Sequence, residues 1–192
     1  MKIYVDMDGV ISDIDRTMAK HLDVSHEEIL QSRSFRTECY LRWVREVGSL
    51  RRGFASLLPT RLGEMKALFR DLRKEGHSLD LLTSLGAERG LFDHTDHLTV
   101  GMEIHAGKVD WIKTHYNDLF EEEVINQLHA VAECGQKRLF GKPETLLIDD
   151  QPENVRGFIE EGGRGYHYHV TRHEELESFL HNEGILSKPN VR

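Results

Sequence analysis

The chain has 192 residues and a net charge of −8; that length accommodates one core domain with an inserted subdomain and excludes two large ones, while the acidic balance excludes a general polyanion-binding surface. Cys39 and Cys134 stand in segments without metal-ligand spacing and cannot build a disulfide framework, which points to a reducing, cytoplasmic setting. No leader pattern opens the chain and no apolar run approaches the ~18 residues of a membrane span, so no membrane partner is expected.

A first strand is expected over 2–6, where Ile3, Tyr4 and Val5 run into Asp6, Met7, Asp8, Gly9 and Val10. Alternate side chains of an extended chain share a face, so Asp6 and Asp8 project together from the strand's carboxyl end. Two clustered anions repel unless a cation or a proton sits between them. The pair beside Gly9 is therefore a candidate Mg2+ site with room for a phosphate, against the plainer reading of a strand entering an Asp-Gly turn.

Helices are expected from about 12 to 58, with apolar spacing at Ile14, Met18 and Leu22 and again at Tyr40, Leu41, Val44 and Val47. This stretch is too long for an ordinary crossover and reads as an insert. Between 31 and 61 it carries Arg33, Arg36, Arg42, Arg45, Arg51, Arg52 and Arg61 against Glu38 and Glu46, a local basic excess suited to an anionic substrate or to a solvated helix face. Pro59 and Gly63 punctuate the chain, and Leu62, Met65, Leu68, Phe69 and Leu72 then make an amphipathic helix over 62–74 that stops at Gly76.

A second strand over 79–83 ends in Thr83 and Ser84, hydroxyls that bind phosphate oxygens without adding negative charge, or simply cap a loop. The stretch 86–107 reads as irregular loop with at most a helical turn, followed by a helix over 108–116. Further strands are expected over 128–132, 145–149 and 166–170, with a loop holding Gly135 and Lys137 and helices over 152–161 and 173–181. The polar tail 187–192 reads as frayed. The apolar run Leu146, Leu147, Ile148 delivers a second acid pair, Asp149 and Asp150. Strands alternating with helices imply an α/β fold, a three-layer Rossmann-like parallel sheet whose carboxyl rim collects ligands.

The stretch Val5 to Val10, then Leu81, Leu82, Thr83 and Ser84, a lysine near Lys137, and Leu147, Ile148, Asp149 and Asp150 resemble, in order, the four motifs of haloacid dehalogenase (HAD) superfamily phosphohydrolases. Within that superfamily the chain is similar to the 5'(3')-deoxyribonucleotidases and their relatives, from residue 1 to about 170. The resemblance implies an α/β core over 1–12 and 60–186 and a small helical cap over 13–59. It implies a phosphoric monoester hydrolase in which Asp6 is the nucleophile and forms an aspartyl phosphate, and Asp8 is the general acid and base. Mg2+ would be held by Asp6, the backbone carbonyl of Asp8, and Asp150, with Asp149 close by. Thr83, Ser84 and Lys137 would bind phosphate, Lys142 and Lys108 being the alternatives to Lys137. In the cap, Phe54 and Trp43 are candidates to contact a nucleobase, with Phe35 and Tyr40 behind them; the plain alternative for each ring is core packing.

One departure is Gln151, where the family often has Arg after the acid pair. The expected substrate is a small phosphomonoester, a nucleoside monophosphate and in particular a deoxyribonucleotide. Nucleic-acid ends or phosphosugars are the alternative substrates, and an inactive nucleotide-binding module the alternative class. Twelve histidines include His94 with His97 and His167, His169 and His173; His167 and His169 are expected on one strand face, and without a neighbouring Cys or HExxH helix they read as exposed side chains rather than a zinc site.

Overall fold

The computed structural model describes residues 1–85, 97–120 and 124–187. Its centre is a parallel sheet built on β1 (Lys2–Val5), which pairs on one side with β4 (Ser78–Ser84) and on the other with β6 (Thr145–Asp149). Outside these lie β5 (Leu128–Val131), which follows the short α7 (Val124–Gln127), and β7 (Arg164–His167), giving the order β5-β4-β1-β6-β7. Period two explains why this sheet is buried on both sides. Ile3, Val5, Leu79, Leu81, Leu146 and Ile148 enter one apolar cluster, while Tyr4, Leu82 and Leu147 enter the other with Phe158.

The first face is covered by α5 (Leu62–Lys74), α6 (His97–His115) and α9 (His173–Asn182), through buried residues such as Met65, Phe69, Ile104, Ile112, Leu176 and Leu180. The second is covered by α8 (Pro152–Glu160) and a 3-10 helix over Cys134–Phe140. The expected α/β layering is therefore observed, and α5 has the expected bounds. Three expectations are corrected. The helix expected to begin at 108 already runs from His97, the segment around Lys137 is helical rather than loop, and the last strand ends at His167 rather than at 170. That strand takes its register from β6, with Leu146 opposite Arg164 and Asp149 opposite His167, and His169 falls outside it as the cap of a 3-10 turn over Val170–Arg172. His167 and His169 consequently do not share a strand face. The expectations for 86–96, for His94 and for 188–192 lie outside the described residues.

The insert begins and ends in a short antiparallel neck, β2 (Ser12–Asp13) against β3 (Leu58–Pro59). Between them run α1 (Ile14–Leu22), α2 (His26–Gln31), α3 (Arg33–Val47) and α4 (Leu50–Ala55). Each start has a local cause: Asp13 accepts from Arg16 N, Ser25 and Glu28 form a capping box, and Ser32 and Ser49 cap α3 and α4. Helix α4 lies directly on α6. A Cβ on Gly107 would stand 2.5 Å from Arg51 O, so only glycine permits this approach, and Arg51 Nε is bonded to Asp110 Oδ2 at 2.7 Å across the same contact. Among the described residues no helix is long and apolar enough to cross a membrane.

Candidate active site

The sheet's carboxyl rim is organised by the turn after β1. Asp6 N still donates to Ile148 O at 2.9 Å, so the nucleophile candidate is held at strand register. Beyond it the Met7 carbonyl accepts from Val10, Ile11 and Ser12 N–H at 3.3, 2.9 and 2.8 Å, and Gly9 N donates to Ser12 O at 2.8 Å. Gly9 has φ +85, and a Cβ there would lie 2.2 Å from Asp150 Oδ2. Glycine is required twice, for its backbone conformation and for the space that the second acid pair occupies. Met7 is fully buried, so Asp6 and Asp8, which flank it, turn to the rim.

Asp6, Asp149 and Asp150 offer oxygens within 4.8 Å of one another. The Asp8 carboxylate does not join them: its Oδ1 accepts from Ser12 Oγ at 3.0 Å and its Oδ2 from Lys108 Nζ at 2.6 Å. Lys137 Nζ bridges Asp6 Oδ1 at 2.8 Å and Asp149 Oδ2 at 2.7 Å. Asp149 is further tied by Gln151 N at 2.8 Å and by Asn154 Nδ2 at 3.1 Å, so it anchors Lys137 and the start of α8 as well as the acid cluster.

The two lysines divide the rim. Thr83 Oγ1 accepts from Lys108 Nζ at 2.5 Å, and Ser84 O accepts from it at 3.0 Å. Thr83 and Ser84 are thus brought together with Lys108 and Asp8, and Lys137 with Asp6 and Asp149. Lys142 is exposed. From the sequence Lys108 is only an alternative to Lys137, although a signal for it is there. Val100, Ile104, Lys108 and Ile112 recur every fourth residue along α6, and all four are buried. A lysine in the middle of a buried helical row is seldom a solvated surface group.

The aromatic candidates Trp43 and Phe54 are both buried, the core-packing alternative. Trp43 is 1% exposed and meets Phe54 edge-on at 5.9 Å, so it packs the interior of the insert instead of walling a cleft. Phe54 is also buried, with its ring 5.4 Å from Lys108 Nζ, and backs that lysine. Tyr40, half-buried on α3, is the ring whose hydroxyl feels Asp8; burial first and then that carboxylate raise its pKa.

Electrostatically the cluster is short of positive charge. Burial raises the Asp6 pKa well above the ordinary carboxylate value; Lys137 opposes this, and Asp149, Asp150 and Asp8 add to it. Asp150 is pushed up to about 6 by burial and then by Asp149. Burial disfavours the Lys137 charge, but Asp6 and Asp149 outweigh it and raise its pKa. Asp6 and Asp150, whose ionisation burial and neighbouring acids disfavour, stand with Asp149 as hard oxygen donors of the kind a divalent cation takes, and Gly9 leaves room for Asp150. Gly9→Ala is expected to displace Asp150 and weaken Mg2+ or Mn2+ binding by ~10-fold or more, read by titration calorimetry; unchanged affinity would contradict the placement of Asp150.

No protein-family model and no curated protein matches this chain. Among solved structures, a HAD family hydrolase from Deinococcus radiodurans R1, crystallised with bound phosphate and sodium, aligns at TM-score 0.51 over 98% of this chain and 98% of its own. This chain has the fold of a HAD family hydrolase. Identity between the two is 14%, so the likeness concerns architecture, and the chemistry rests on the residues themselves. In this HAD-like fold the acids stand at the carboxyl ends of β1 and β6 and the hydroxyls at the end of β4, three adjacent strands.

Proposed function

We propose that this protein is a Mg2+-dependent phosphomonoesterase acting on nucleoside monophosphates, in particular deoxyribonucleotides, through an aspartyl phosphate on Asp6. The observation that carries the reading is the convergence of Asp6, Asp149 and Asp150 within 4.8 Å, with Lys137 on Asp6 and the Lys108, Thr83 and Asp8 group beside them. Phosphomonoester hydrolysis is very slow uncatalysed, so a site must supply a large electrostatic contribution and close positioning.

Both Met7 N–H and Lys137 Nζ bond Asp6 Oδ1, at 2.7 and 2.8 Å, and no described residue hydrogen-bonds Oδ2. Oδ2 is then the oxygen available to attack phosphorus in line, forming the acyl phosphate as the ester P–O bond breaks. Asp8 protonates the departing oxygen and later takes a proton from the water that attacks phosphorus and frees Asp6. Lys108 and Thr83 stand beside Asp8 to hold phosphoryl oxygens. Asp6, Asp150 and the Asp8 carbonyl would hold Mg2+, which would supply charge that keeps Asp6 ionised and offsets part of the charge on phosphate. Residues 13–59 act as the cap that selects the leaving group and excludes water. The nucleotide assignment is supported by the motif resemblance, and phosphosugars and nucleic-acid ends are its competitors.

The test is phosphate release from deoxynucleoside monophosphates, ribonucleoside monophosphates, 3'-phosphorylated oligonucleotides and sugar phosphates, each with Mg2+ or EDTA. A robust EDTA-resistant rate would defeat the metal-dependent mechanism, and faster release from sugar phosphates would defeat the substrate. The metal itself should be pH-dependent. With Asp150 at about 6 and Asp6 also raised by burial, Mg2+ must displace protons from its ligands, so its affinity is expected to rise with pH, and to fall by ~10-fold or more per pH unit from about 6 downward. Calorimetric titrations between pH 5 and pH 8 check this.

A further inference from the structure

The four rim carboxylates, Asp6, Asp8, Asp149 and Asp150, face the ammonium groups of Lys108 and Lys137, which leaves an excess of two negative charges. One divalent cation cancels that excess, and a phosphoryl dianion then arrives without an opposing charge of its own. Gln151, after the acid pair, is neutral and gives its side-chain amide to Asp150 at 3.1 Å. The insert offers what is missing. Arg36, near the start of α3, donates from Nε to Asp15 Oδ1 at 2.7 Å. Asp15 lies in the first turn of α1, three residues beyond Ser12, whose hydroxyl donates to Asp8 at 3.0 Å. The guanidinium is thus tied to the same stretch of chain that builds the rim.

Two further facts orient it. The Arg36 charge, opposed by burial, is favoured by Asp15 and then by Asp150 and Asp8. Tyr40, four residues on and hence on the same face of α3, also feels Asp8. Side chains one turn apart share the face of α3 that meets α1 at the Arg36–Asp15 pair. The Arg36 side chain is 48% exposed, and its Nη groups hydrogen-bond no described residue, so a ligand entering from solvent finds free donors in fork geometry.

We propose that Arg36, held by Asp15, is a substrate-binding residue that takes non-bridging oxygens of the phosphoryl group from the cap side. The inference rests on the phosphatase reading and adds a binding group to it; Asp15 is a positioning residue. Binding of inorganic phosphate to the Mg2+-loaded protein tests it, because phosphate has no leaving group and its binding needs no turnover. By titration calorimetry Arg36→Met is expected to weaken phosphate binding ~10-fold or more, Arg36→Lys ~3-fold and Asp15→Asn ~3-fold, all with unchanged thermal melts. In hydrolysis, KM is expected to rise in the same order while kcat changes less. Phosphate affinity equal to wild type in Arg36→Met overturns the proposal, and a raised nucleotide KM with that affinity unchanged overturns it too, because the arginine would then serve the leaving group. Failure of every phosphomonoester to turn over, with phosphate binding still dependent on Arg36, would sink the phosphatase reading while supporting the binding role.

Discussion

Asp6→Asn is expected to lower kcat by ~10^4-fold or more, because an amide keeps the shape of the carboxylate and removes its nucleophilic charge. Retention of one per cent of the wild-type rate would rule out the aspartyl phosphate. The same variant has an expected stability signature of the opposite sign. In the metal-free fold the Asp6 pKa is raised above its unfolded value. A carboxyl of that kind costs the folded state nothing at low pH and destabilises it increasingly as pH rises above the unfolded value, until it ionises in the fold. Asn does not titrate, so in EDTA at neutral pH the variant is expected to melt higher than wild type. With Mg2+ the order should narrow or reverse, since wild type then gains a ligand that Asn holds poorly. A variant that loses activity and also melts lower in EDTA would show that Asp6 is structural rather than frustrated by its neighbours.

Lys137→Met is expected to have the largest effect on stability. Its ammonium is 1% exposed and touches Asp6 at 2.8 Å and Asp149 at 2.7 Å, so its removal leaves two buried carboxylates without their cation. Breaking a buried pair in this way costs about 3–5 kcal/mol, which for a chain of this size is a fall on the order of 10 °C in Tm. Mg2+ should recover part of that fall by restoring positive charge to the acids. Turnover should drop by ~10^2-fold or more as the Asp6 carboxylate loses its orientation. Lys142→Met, at an exposed position close by in the chain, is the control and should change stability by less than about 0.5 kcal/mol. Equal melts for the two variants would refute the bridging role of Lys137.

The contrast between these lysines shows what was legible. Asp6, Asp8, Asp149 and Asp150 could be found from the sequence because each pair ends a short apolar run, and in a parallel sheet the carboxyl ends of such runs share a rim. Helix α5 was legible for a similar reason: Met65, Leu68, Phe69 and Leu72 make one stripe, and all four are buried. Helix α6 was harder. Gly101, His105 and Gly107 interrupt its apolar pattern, and they are tolerated because α4 must approach closely at Gly107. Strand β7 was misplaced because Arg164 to His167 have little apolar alternation, and an edge strand takes its register from its neighbour β6. Trp43 and Phe54 were readable as aromatic but not as interior, since that depends on α3 and α4 packing against each other around Gly53.

Local pattern alone therefore determined α5, the central strands, the layered α/β class and the four acids, because hydrophobic period and turn residues act over a few positions and need no partner. Tertiary structure decided how those acids are compensated. Lys108 lies a hundred residues from Asp8, and Lys137 well over a hundred from Asp6, yet each is within 3 Å of its carboxylate. Such pairings depend on strand order and on helix rotation about its own axis. Charge acts through space, and no spacing along the chain encodes which ammonium group the folded sheet will bring to which acid.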